Sequence, residues 1–167
     1  PDAEALHARF VEAHPDAWQS DNTNADALPW TYITDVDAGN PDDIVFGVEP
    51  FCSLMSETAL DVADTAEFIA EAVRFANERV WGTLVATLVV HPDSAQDPAL
   101  AAVTEAAIAE LNYGTVTVNH FAGLGYALAS APGGGAPGQP IQNRLIVRCL
   151  RSQYVQEGYE GIAVLFG

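Results

Sequence analysis

Lysine is absent from this chain of 167 residues, and its permanent cations are six arginines set against 23 acids, for a formal charge of −17. A surface so acidic repels the phosphates of nucleic acids and of anionic lipids, so no nucleic acid and no membrane is expected as a partner. Such a lysine-free surface fits adaptation to high salt and, equally, a GC-rich genome. No apolar run approaches the eighteen or so residues that a membrane helix needs. The two cysteines, Cys52 and Cys149, are too few for a disulfide framework and are expected as reduced thiols. The four histidines (His7, His14, His91, His120) show no metal-ligand spacing with cysteines or with one another, so no metal site is expected. The first residues lack the basic-then-apolar order of a secretory leader, and a cytoplasmic location is expected from that.

What is present is an apolar fraction of 49%, enough for a folded core and too much for a disordered acidic tail. The charge is unevenly spread, with 21 of the 23 acids in residues 1–110. Residues 3–13 carry Leu6, Phe10 and Val11 at helical spacing. Residues 14–40 are rich in Asp, Asn and Pro, and there only Thr31–Thr34 has the character of a strand. Ile44–Phe46 and Cys52–Met55 read as strands flanking Glu49. Asp64-Thr65-Ala66-Glu67 has the form of a capping box, and Phe68, Ile69, Ala72, Val73, Ala76 and Val80 continue it as a helix to about Arg79. Leu84–Val90 is a continuous, partly β-branched run of the kind a buried parallel strand needs. Asp97-Pro98 then opens a second helix to Leu111, followed by a second buried strand, Gly114–Val118. The alternation of helix and strand predicts an α/β fold, an open and mostly parallel sheet with flanking helices. Residues 133–138 form a glycine-rich loop. Arg144–Arg151 reads as a strand with alternating arginines.

Several of these segments carry a resemblance when taken in order. Trp30-Thr31-Tyr32-Ile33-Thr34-Asp35-Val36 is followed by Glu49-Pro50-Phe51-Cys52-Ser53, then by Trp81-Gly82-Thr83-Leu84-Val85-Ala86, then by Tyr113-Gly114-Thr115-Val116-Thr117-Val118-Asn119. Together they resemble the later part of the catalytic domain of aldehyde dehydrogenases, over roughly residues 28–138. The organisation expected is an N-terminal helix and acidic loop (1–27), the dehydrogenase-like α/β subdomain (28–138) and a divergent tail (139–167).

The resemblance implies the following. Glu49-x-Phe51 falls where the family has Glu-x-Phe-Gly-Pro, so Glu49 would accept hydrogen bonds from the nicotinamide ribose and Phe51 would pack near the nicotinamide ring. The chain departs from that motif at Cys52 and Ser53, and Cys52 does not hold the position of the nucleophile. Asn119, His120 and Phe121 would line the substrate tunnel or its rim. Trp81-Gly82 matches a turn whose glycine permits a positive φ. The catalytic cysteine, the general-base glutamate and the dinucleotide-binding domain would all lie upstream of Pro1. NAD or NADP would serve the complete enzyme, while the isolated chain would bind none and be inactive. Its partner would be the remainder of the parent enzyme or further copies of itself, associating through the runs Leu84–Val90 and Gly114–Val118. The alternatives are a stand-alone assembly or binding module that keeps this fold without catalysis, and an unrelated small α/β protein.

Overall fold

The structure, a computed structural model, describes residues 2–21, 24, 26–121, 145–148 and 161–165. Among these the chain forms two compact units, Pro1–Asp61 and Val62–Gly167. The boundary falls within residues 28–138, expected from sequence as one subdomain.

In the first unit, α1 (Ala3–Ala13) begins where the Asp2 carboxylate accepts from the amides of Glu4 and Ala5, satisfying donors that a helix start leaves open. A three-stranded sheet follows in the order β1–β2–β3, made of β1 (Trp18–Gln19), β2 (Thr31–Ile33) and β3 (Leu54–Ser56). β1 runs antiparallel to β2, and β3 parallel to it. Thr31 and Ile33 are buried, His7 Nε2 of α1 and Thr31 Oγ1 share a buried hydrogen bond of 2.7 Å, and Phe10 of α1 is fully enclosed.

Two expectations need correction here. Ile44–Phe46 is not a strand but the core of a short helix, α2 (Ile44–Gly47). The apolar Ile-Val-Phe run suits either state, and Asp43 decides it: its side chain accepts from the Val45 amide at 3.1 Å while its carbonyl accepts from Phe46. His14, at the end of α1, fixes the same carboxylate through a 2.9 Å contact. The second expected strand, Cys52–Met55, begins later, at Leu54, because backbone bonds between near neighbours fold residues 49–54 into a tight loop first.

In the second unit, α3 (Thr65–Glu78) starts with the expected box: Asp64 accepts from Glu67 N at 2.9 Å, and Glu67 reaches back to Ala63 N at 2.8 Å. α4 (Pro98–Glu110) is capped by Asp97, with proline in the first turn. A four-stranded sheet has the order β6–β5–β4–β7, from β4 (Val85–Val89), β5 (Thr115–Val118), β6 (Leu145–Arg148) and β7 (Gly161–Leu165). β4, β5 and β6 are parallel, and β7 closes antiparallel on β4. Leu145–Arg148, placed by sequence in a divergent tail, thus forms a strand beside β5, and Gly161–Leu165 one beside β4. Leu84–Val90 is therefore no open edge: its strand is paired on both sides, and Val85, Ala86 and Leu88 are buried.

Both helices of the second unit pack on one sheet face. Ile69, Val73 and Ala76 of α3 meet Ala107, Ile108 and Leu111 of the α4 end over Ala86, Leu88, Val90 and Val116. Asn77 ties the helices together, its amide nitrogen donating to the Glu110 carbonyl and its oxygen accepting from Asn112 N. Gly82 has φ of 107°, the conformation expected at the helix-to-strand turn.

Candidate functional site

Glu49, Phe51 and Cys52 lie in the first unit, on the loop between α2 and β3. Successive bonds from Phe51 N to the Glu49 carbonyl and from Cys52 N to the Pro50 carbonyl hold this loop in tight turns. The Phe51 ring stands 58% exposed, while Glu49 and Cys52 are partly buried. Among the described residues the Glu49 carboxylate has no hydrogen-bond or ion-pair partner, and partial burial pushes its pKa above the usual value. Burial also raises the Cys52 thiol, leaving it protonated and a poor nucleophile at neutral pH.

Asn119, His120 and Phe121 lie in the second unit, at the carboxyl end of β5. In open α/β sheets this is the edge where ligands are commonly bound. Asn119 is buried, with φ of 53°, and both ends of its side-chain amide bond Val90: the nitrogen donates to the Val90 carbonyl at 2.9 Å and the oxygen accepts from Val90 N at 2.8 Å. Its contribution to any site is therefore to hold the ends of β4 and β5 together. One N–H and one lone pair of the amide remain beyond these two bonds. The His120 carbonyl accepts from Thr117 Oγ1, and its Nδ1 is buried without a hydrogen-bond partner among the described residues. The Phe121 ring is exposed.

One open cavity of about 520 Å3, lined by Asp64, Thr65, Phe68, His91 and Ser94 among others, was not anticipated from sequence. His91 follows β4, and its Nδ1 accepts from Asp93 N at 3.2 Å, which leaves the proton on Nε2. The only sequence signal was a histidine placed directly after a buried strand, opposite a capped helix start. Among the described residues no group of three or more His, Cys, Asp or Glu side chains is arranged to hold a metal, and no helix is long and apolar enough to cross a membrane. The glycine-rich stretch 133–138 and Cys149 lie outside the described residues. Compared with protein-family models, curated proteins and solved structures, the chain matches none of them.

Proposed function

We propose that this chain supplies the later part of the catalytic domain of an NAD(P)-dependent aldehyde dehydrogenase, which oxidises an aldehyde to an acid through a cysteine thioester formed outside these residues. The observation that carries the reading is the loop at Glu49 and Phe51. An aromatic ring held outward, two residues from a carboxylate with no partner among the described residues, has no evident role in packing the first unit and suits a nicotinamide riboside. An ionised carboxylate can accept from both hydroxyls of a ribose. The nicotinamide, when bound, takes up the hydride. The residues of this chain orient it: Glu49 by the ribose and Phe51 by the ring.

On the second unit, His120 and Phe121 are available at the sheet edge to form part of the substrate entrance, and Asn119 sets where they lie. The isolated chain is inactive on this reading.

The test is Glu49→Gln in the complete enzyme. Loss of a charge-assisted pair of hydrogen bonds weakens the nicotinamide cofactor roughly ten- to a hundredfold, while acylation of the catalytic thiol by an activated ester changes much less. Unchanged cofactor affinity and turnover would reduce Glu49 to a surface carboxylate and remove the basis of the assignment.

A further inference from the structure

The first unit leaves one face of its sheet bare. Trp18, Tyr32 and Met55 are register partners across β1, β2 and β3, so their side chains leave the sheet on the same side. Trp30, two residues before Tyr32 and bonded through its backbone to Ser20, joins that side by the alternation of a strand. Trp18 is 58%, Trp30 72% and Met55 62% exposed, whereas Thr31 and Ile33 on the opposite face are buried. Glu57 borders the row and accepts from the Tyr32 hydroxyl. Large apolar side chains gathered in register on one exposed face mark an interaction surface.

The charge of the whole unit selects the occupant of this face. The first unit holds thirteen carboxylates and one arginine, Arg9, and one of those carboxylates, Glu57, lies at the row itself. A second copy would bring the same acids against this face, and nucleic acid its phosphates, so electrostatics opposes both. A cationic partner is favoured instead, and a guanidinium gains from the indole faces as well as from Glu57. We propose that this face docks a cationic, apolar segment of another polypeptide, with apolar side chains and arginines laid across Trp18, Trp30, Tyr32 and Met55. The inference does not depend on the dehydrogenase assignment, which concerns Glu49 and Phe51.

The test is calorimetric titration of the whole chain with a short synthetic peptide of alternating arginine and valine, and with its glutamate counterpart. The arginine peptide binds and the glutamate peptide does not. Trp30→Ser combined with Met55→Ser weakens binding by roughly tenfold or more, the scale of lost aromatic and apolar contacts. Trp81→Ser, at an exposed tryptophan of the second unit, leaves binding as it was. Three results would overturn the proposal: no binding of the arginine peptide; equal binding by the double variant, which would reduce the effect to bulk charge; or a dimer, seen by light scattering, that the double variant dissolves, which would give the face to a second copy.

Discussion

Asn119 grips both backbone polar groups of Val90, one residue on β5's end closing two hydrogen bonds on the end of β4. Both groups are buried, so water cannot replace the side chain at low cost. Asn119→Gly keeps access to the left-handed backbone but strands the two Val90 groups, and should destabilise the second unit by about 1–3 kcal/mol. Asn119→Ala adds the penalty for a β-carbon at φ of 53°, about 1–2 kcal/mol more. Denaturant unfolding should rank wild type above Gly and Gly above Ala. An alanine variant as stable as the glycine one would show that the backbone here carries no strain.

Tyr113 gives the second unit a specific alkaline weakness. Its buried hydroxyl donates to the Ala76 carbonyl at 3.1 Å, and burial pushes its pKa up to about 12, above the 10.0 of a free phenol. Between these values the unfolded chain has lost its proton and the folded chain keeps it. Stability is thus intact below pH of about 10 and falls above it, by at most about 1.4 kcal/mol per pH unit. Tyr113→Phe should start about 0.5–1.5 kcal/mol less stable and lose this part of the slope. Equal slopes for the two proteins between pH 10 and 12 would rule Tyr113 out as its source.

In the second unit α3, β4, α4 and β5 were legible, because each was specified locally, whereas β7 was not, since it owes its state to pairing with β4. The capping box at Asp64 and Glu67, the Asp97-Pro98 start and the two apolar strand runs act within a few residues. The first unit was read less well. Ile44–Phe46 has strand-like residues, and a single carboxylate, Asp43, held by a histidine far away in sequence, turns it into a helix. β1 has two residues and owes its state to pairing with β2, which local propensity does not express. As for the candidate site, Glu49 and Phe51 were singled out by a resemblance alone. The bonds of Asn119 to Val90 and the exposed aromatic row could not be read from sequence, since both depend on strand register.

His7 and Thr31 should behave as a coupled pair. Thr31→Val leaves a buried imidazole nitrogen without its hydroxyl and should cost the first unit about 1–3 kcal/mol. Adding His7→Leu removes the orphaned group, so the double variant should be more stable than the sum of the single changes predicts. Strict additivity in denaturant unfolding would mean that the 2.7 Å contact contributes nothing measurable.

Cys52 should be a sluggish thiol. In a chain carrying Cys149→Ser, a disulfide reagent should modify it more slowly at pH 7 than it modifies free cysteine, with the rate still rising beyond pH 9 because burial lifts the thiol above its usual 9.0. Rapid modification at neutral pH would indicate an activated thiolate and reopen Cys52 as a nucleophile.

The antiparallel closure of β7 on β4 has a kinetic consequence. Val85 pairs with Leu165 and Val89 with Gly161, so this inner strand waits for a segment far downstream before one of its two ladders can form. Such distant pairing carries a large loop-closure entropy and slows folding. On a ribosome, α3, β4, α4 and β5 emerge first, and until β7 arrives the amides and carbonyls along one side of β4 remain a template for any passing strand. Between the synthesis of Val89 and that of Gly161, that edge of β4 stays open to wrong pairing.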